Sequence, residues 1–448
     1  MNEKQKRRYL LETENVKTAL LRLGIPTMIG MLVSALYNIV DTFFVGKLGT
    51  SQTAAVSIVY PVTMIGLGIG LLFGSGAGSY ISRLLGRKEY DKASACSSTA
   101  IFSGILTILV VISGMLLFLE PMMRLFGATD ASIPYALDYG KFYILGLVFN
   151  VFNIMVNNML VAEGASSFSM AAMLIGGGAN LVLDPILIFG CGMGVQGAAV
   201  ATLISQTISA VFYLVYLTKG KSYLKLSLRY FKPSRPLFGE ISKIGLPVCI
   251  FQFLTGGAIM LTNIAASPFG ESAIAAMGIV NRLMSLESNA LYGFLKGYSP
   301  LAGYNYGSGN LVRVRDATNT ALRWSTVSNI VFGIVCILFS SQLIHLFNQE
   351  SAQVLQIGRL ALTVDAISYM TLGIQIVIGN YFLSIGKAKQ GGLLSICRQG
   401  LFFIPFLLLL TPLMGITGLI LAQLATDICA TIVTLLMWKK EKALLPAL

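Results

Sequence analysis

Twelve stretches of about 20 or more mostly apolar residues follow one another along this chain, and that repetition leaves it few folds. A helix needs about 20 apolar residues to cross the hydrocarbon core of a bilayer. In lipid only helices and closed barrels satisfy every backbone polar group. The stretches lie near 18–43, 52–80, 93–119, 134–160, 167–190, 195–217, 240–265, 272–299, 316–340, 353–383, 391–411 and 415–437. Of 448 residues, 55% are hydrophobic and only 11% charged, with a mean hydropathy of +0.76. An ordinary soluble protein carries about 25% charged residues. The expected fold is all-α and integral to a membrane, with twelve transmembrane helices and the lipid bilayer as its surroundings.

A net charge of +13 raises the question of nucleic acid, but the basic residues alternate between loops rather than forming one surface. Lys4, Lys6, Arg7 and Arg8 precede the first span, and Arg83, Arg87, Lys88 and Lys92 follow the second. Lys219, Lys221, Lys225, Arg229, Lys232 and Arg235 follow the sixth, Arg313 and Arg315 the eighth, Lys387 and Lys389 the tenth, and Lys439, Lys440 and Lys442 end the chain. The intervening loops hold little beyond Lys47 and Arg124. This is the positive-inside pattern. It predicts a multi-pass protein of the cell membrane with both termini cytoplasmic and no nucleic-acid partner. The basic N-terminus leads into a full-length span, not the short apolar core of a cleavable signal. Cys96, Cys191, Cys249, Cys336, Cys397 and Cys429 are scattered singly and read as packing residues. His345 has no ligand partner at metal-binding spacing.

The chain repeats itself. A shift of 221 residues lays RLGIP at 22–26 on KIGLP at 243–247, TAAVSIV at 53–59 on IAAMGIV at 274–280, and MGVQGAAVA at 193–201 on MGITGLILA at 414–422. Six spans return the chain to the side where it began, so the halves are expected as parallel repeats about an axis along the membrane normal. The predicted organisation is a six-helix lobe at 1–217, a basic cytoplasmic linker at 218–238 and a second six-helix lobe at 239–448, with a cleft between pseudo-symmetric bundles. Gly66, Gly70, Gly74 and Gly78 recur every fourth residue and suit close helix contact.

Against this background, carboxylates inside the spans stand out. Asp41 in the first span and Asp184 in the fifth each cost roughly 2.5–3.5 kcal/mol on insertion scales, so such groups are usually retained for function. Asn180 and Asp184 are four apart and share a helical face; Asp41 shares its face with Tyr37 and Asn38; Thr202 and Gln206 repeat the spacing in the sixth span. The second half breaks the symmetry, because Thr262 matches Asp41, while Leu401 and Pro405 match Asn180 and Asp184. An acid cluster in one lobe is what a single cation-coupling site requires. Carboxyl groups set beside each other away from water can share a proton, and Asp, Asn and Thr oxygens equally suit sodium, so H+ and Na+ both stay open. Interhelical hydrogen bonding is the plainer alternative for these acids.

Asn150, Asn153 and Asn157 form a stripe in the fourth span that either lines a cleft or bonds neighbouring helices. Glu163 and Asp138, near span ends, are expected to be solvated. Glu287 and Asp365 are the cleft-facing acids expected from the second lobe, and Arg282 and Lys296 its plausible cations. Met28, Met31, Met155 and Met159 suit an adaptable apolar wall. Pro26, early in the first span, lacks a backbone donor and is a candidate hinge.

Several segments together resemble the multidrug and toxic compound extrusion (MATE) family over essentially the whole chain: YNIVDTFFVGKLGTSQTAAVS at 37–57, GAGSYISRLLGRKEYDKA at 76–93, AEGASS at 162–167 and KGYSPLAGYNYGSGN at 296–310. The resemblance is to the branch whose coupling site lies in the first lobe. It implies that Asp41, Asn180, Asp184 and Thr202 form that site, whether for H+ or Na+. It also implies export of amphipathic, mostly cationic small molecules, with no cofactor beyond the coupling ion. In the branch with second-lobe acids an acid sits on span seven; here that span has Gln252, and only Asp365 on span ten remains. The expected function is a monomeric secondary active multidrug efflux transporter, not an enzyme, since no nucleophile–base set or metal cluster is apparent. Two rivals are a flippase for lipid-linked saccharides, which calls for more cleft cations, and a non-transporting receptor or scaffold, which calls for a soluble domain or long signalling loop.

Overall fold

The computed structural model describes residues 2–347 and 351–443; the outer ends of the two predicted lobes, residue 1 and residues 444–448, lie outside the described residues. The first half consists of helices α1 (Glu3–Glu12), α2 (Val16–Gly46), α3 (Thr50–Gly86), α4 (Tyr90–Leu117), α5 (Leu119–Leu125), α6 (Ile133–Ala162), α7 (Ser166–Pro185) and α8 (Gly194–Thr218). The second half continues with α9 (Arg235–Ala266), α10 (Glu271–Gly307), α11 (Leu311–Leu338), α12 (Ser340–Phe347), α13 (Ala352–Tyr369), α14 (Leu372–Ser384), α15 (Ala388–Ile396), α16 (Phe403–Met414) and α17 (Ile416–Lys442). Ten spans are long and apolar enough to cross a membrane, and α13 with α14, bent by 45°, makes an eleventh. The twelfth is α10, 37 residues long, whose Asn281, Arg282, Glu287, Asn289 and Lys296 make it too polar to be recognised by hydropathy alone. Large apolar side chains such as Leu106, Val110, Leu338 and Leu408 point outward, as lipid-facing residues do. The fold is thus the expected all-α, twelve-span membrane architecture in two pseudo-symmetric bundles.

The internal repeat governs helix lengths as well as sequence. Both α3 and α10 span 37 residues, beginning at 50 and 271, and both α4 and α11 span 28, beginning at 90 and 311. Gly49 and Gly270, at φ +124° and +89°, stand before the matched pair α3 and α10, where a side chain would be strained. The symmetry fails in two places. The single helix α6 answers to the broken α13–α14 pair, and π-helical turns occur at Ile186–Gly190, after α7, and at Cys397–Phe402, between α15 and α16. Such turns are rare and frequently functional; the first follows Asp184 and Pro185 directly, and the second contains Arg398.

The two halves meet at the ends of their helices that lead to the basic loops. A Cβ on Gly293 of α10 would lie 2.6 Å from Met28 Cα on α2, and one on Gly297 would overlap the backbone of Leu23 and Gly24. On the other side of the junction, Gly245 of α9 packs on the backbone of Leu72 in α3, and Gly76 on that of Ile241. These glycines let the backbones touch, so the halves are shut on the basic face. The stripe Gly66, Gly70, Gly74 and Gly78 does the same within the first half, facing Leu147, Ile154, Met155 and Asn158 of α6.

Glu163 is not solvated but wholly buried (0% exposed). Arg7 of α1 donates to its Oε1 at 2.6 Å, and Ser222 Oγ and the Tyr223 amide each donate to Oε2 at 2.8 Å. Helix α1, opened by a capping box between Asn2 and Gln5, buries Arg7 and Leu11 one turn apart. With the linker it covers the end of α6. The same helix reaches the second half: Asn305 Nδ2 and Arg313 Nε donate to Leu11 O at 2.9 and 3.1 Å. Asp138 is exposed as expected.

Candidate functional site

Between the halves lies a cavity of about 880 Å³ lined by residues of both. On α2 its wall begins at Met31 and continues through Ser34, Tyr37 and Asn38, beyond the contacts at Gly24 and Met28. The cavity follows the junction of the halves from Tyr37 and Asn38 to Ser82 and Ser384, close to the basic loops. Tyr37, Asn38, Asn153, Asn157, Asn180, Thr202, Gln206 and Asp365 all line it.

Asp41 and Asp184 sit behind this wall and not on it. Helices α2 and α7 run side by side, with Gly30 against Met173 and Gly177 against Tyr37, and the same register carries Asp41 level with Asp184. The two carboxyls lie against each other. Asp184 is fully buried and accepts from Asn180 Nδ2 at 3.1 Å, as expected of residues four apart on one helix. What remains is informative: Asp41 Oδ1 and Asp184 Oδ2 are both buried with no donor. Two carboxyls in contact, each with a buried oxygen that lacks a donor, can accept a proton or a hard cation. Helices α7 and α8 pack antiparallel, Gly176 on Ser209 and Gly197 on Leu187, which sets Thr202 level with the turn between Asn180 and Asp184. Tyr139 of α6, which sequence reasoning did not single out, lies close enough to both carboxyls to feel their charge, as does Tyr37. Among the described residues no group of three His, Cys, Asp or Glu side chains suits a transition metal.

The asparagine stripe of α6 both lines the cavity and ties helices together. Asn153 Nδ2 donates to Gln206 Oε1 at 2.8 Å and to Gln206 O at 2.9 Å; Asn157 Nδ2 donates to Tyr213 Oη at 3.0 Å and also to Ser169 Oγ. Across the cavity, Lys296 of α10 donates to Asn157 Oδ1.

In the second half the acids are arranged differently. Arg398 Nε donates to Asp427 Oδ1 at 2.7 Å, and Gln423 Nε2, Gln375 Nε2 and Ser368 Oγ also donate to the same carboxylate. Asp365 lines the cavity beside this pair. Glu287 does not line it: Ser328 Oγ donates to its Oε1 at 3.4 Å. The cause is helical phase. Ser285, Ser288, Asn289, Tyr292, Lys296 and Ser299 carry the cavity-facing stripe of α10, and Glu287 falls about 200° around the helix from Ser285 at 100° per residue. Arg282 is exposed and off the wall; the cavity's cations are Lys296 and Arg398. Pro26 lies within α2, beside the Gly24 contact.

The sequence model of the MatE family matches residues 26–186 and 247–409. The multidrug export protein MepA of Staphylococcus aureus (strain MRSA252) is 32% identical over 437 residues, 97% of this chain and 96% of that protein. MepA of Staphylococcus saprophyticus is 30% identical with the same coverage. Among solved structures, the outward-facing conformation of a multidrug resistance MATE family transporter of the MOP superfamily superposes with a TM-score of 0.91 at 28% identity, covering 97% of this chain and 98% of that one. A MATE crystal structure in the straight conformation gives 0.91 at 27% identity and 97% of each chain.

Proposed function

Because the chain belongs to the MatE family of membrane transporters, which are not enzymes, we propose that it is a secondary active exporter of amphipathic, mostly cationic small molecules. The observation that carries this reading is the pair of donorless carboxylate oxygens, Asp41 Oδ1 and Asp184 Oδ2, buried behind a large cavity lined by both halves. Asp41, Asn180, Asp184 and Thr202 form the coupling site, which takes up H+ or Na+ from the open side. Two lobes, 1–217 and 239–448, rock about the linker at 218–238, with the basic face and both termini in the cytoplasm and the monomer as the working unit. Pro26 is the hinge of α2.

Coupling requires that ion and drug prefer different conformations, since a ligand with equal affinity for both shifts nothing. The driving force suffices: one pH unit supplies about 1.4 kcal/mol per proton, and 100 mV about 2.3 kcal/mol per charge moved. If sodium is the coupling ion, the oxygen donors Asp41, Asp184, Asn180 and Thr202 would hold it, consistent with a hard cation's preference. A lipid-linked saccharide flippase is disfavoured because, of the two cations on the wall, Arg398 is already spent on Asp427. The test is dye efflux from reconstituted vesicles under an imposed ion gradient. Failure of any ion gradient to drive efflux would remove the exporter reading.

A further inference from the structure

Three charged side chains line the cavity: Asp365, Arg398 and Lys296. Arg398 is ion-paired to Asp427, and Asp365 lies in the field of that pair. Lys296 differs from both, because among the described residues it makes no ion pair and its polar partner is the neutral Asn157 Oδ1. That amide is itself fixed, its Nδ2 donating to Ser169 and Tyr213, so its oxygen is held towards the lysine. An ammonium has three donors, and one of them is used. A cation at bilayer depth with no counter-charge is costly unless it serves a ligand. The cation is also placed where a ligand would meet it, at the junction of the halves and facing the open volume.

We infer that Lys296 is an anion-selecting subsite, the side chain that recognises the carboxylate of an amphiphile whose other end is cationic. The inference rests on the exporter reading and names a residue that selects among its substrates. The cavity has two poles. Tyr369 lies one turn from Asp365 on α13 and accepts from Ser288 at 3.3 Å, and Ser288 is eight residues from Lys296 on α10. Ser288, at the Asp365 end, and the lysine are therefore about 12 Å apart along α10 at 1.5 Å per residue. A zwitterionic aromatic molecule lying along α10 would set its cationic end near Asp365 and its carboxylate on Lys296 Nζ. A charge-assisted hydrogen bond there is stronger than any the corresponding ester can accept.

The test compares rhodamine B, which bears a free carboxylate, with rhodamine B ethyl ester, which bears the same cationic ring system without it. Affinities are measured by fluorescence on the full-length protein in phosphatidylcholine nanodiscs. The expected result is that wild type binds the acid about tenfold more tightly than the ester, equivalent to about 1.4 kcal/mol. In Lys296→Gln the ratio falls to about one, and in Lys296→Arg it is kept. The wild-type ratio needs no variant to fold. A wild-type ratio near one, or a ratio unchanged in Lys296→Gln, overturns the inference. So does a preference that vanishes when phosphatidylglycerol is added, which would assign the lysine to a lipid headgroup. If the ester binds and is exported but the acid gains nothing, the exporter reading stands and this inference alone falls; if neither dye binds, both fall.

Discussion

Arg398 and Asp427 meet at 2.7 Å in the interior of the second half, with side chains 10% and 1% exposed. The pair joins the π-helical turn before α16 to the middle of α17. Three further donors complete the carboxylate's shell, so the charge is fully compensated. It differs in this from the acid pair of the first half, whose inner oxygens lack donors. Under the proposed function, structural work falls to this pair and ion exchange to the other.

Breaking the compensated pair on one side leaves a buried charge, which costs about 3–5 kcal/mol. Arg398→Ala and Asp427→Ala are each expected to lower the melting temperature of the detergent-solubilised protein markedly. The double change Arg398→Met with Asp427→Leu is expected to recover most of the loss. A double variant no more stable than the singles would contradict the structural role.

Arg7 and Glu163 pose the same question at the basic face. Arg7→Ala strands a carboxylate with no exposure, so a loss of similar size, about 3–5 kcal/mol, is expected in thermal unfolding. Glu163→Gln keeps hydrogen bonds to the linker and is expected to cost less. Equal effects would show that the charge is unimportant to the clasp.

Little of this ion-pair chemistry was legible in the sequence, and the reason is distance along the chain. Arg7 and Glu163 are 156 residues apart, and a residue at a span end reads as solvated until α1 and the linker are seen to cover it. Arg398 and Asp427 did leave a signal, single opposite charges in consecutive apolar spans, which the apolar windows absorbed. The spans themselves, the 221-residue repeat and the shared face of Asn180 and Asp184 follow from composition and helical spacing, so they could be read directly. Glu287 shows the limit of such reading: depth along a helix was evident, but the phase that turns it from the cavity was not.

Phase makes its own prediction. Glu287→Gln is expected to leave dye efflux within about twofold of wild type, whereas Asp365→Asn, on the wall, is expected to weaken binding of a cationic dye by about tenfold, the value of one charge-assisted contact. Concentration-dependent efflux in cells separates the two. A larger defect in Glu287→Gln than in Asp365→Asn would reverse the assignment.

Closure on the basic face depends on bare backbone at Gly293 and Gly297. Gly297→Leu is expected to hold the halves apart there and to reduce transport more than tenfold while the protein still binds dye, because a cycle needs both shapes. Pro26→Ala, beside the same contact, is expected to slow transport; unchanged turnover would remove Pro26 from the mechanism.

Asp41 and Asp184 are expected to exchange an ion during each cycle. The most direct measurement is efflux of a fluorescent dye cation from vesicles containing wild type or Asp41→Asn, with pH and sodium gradients imposed separately. One of the two gradients should drive wild-type efflux, and neither should drive Asp41→Asn above the level of protein-free vesicles. Gradient-driven efflux by Asp41→Asn at the wild-type rate would contradict the account.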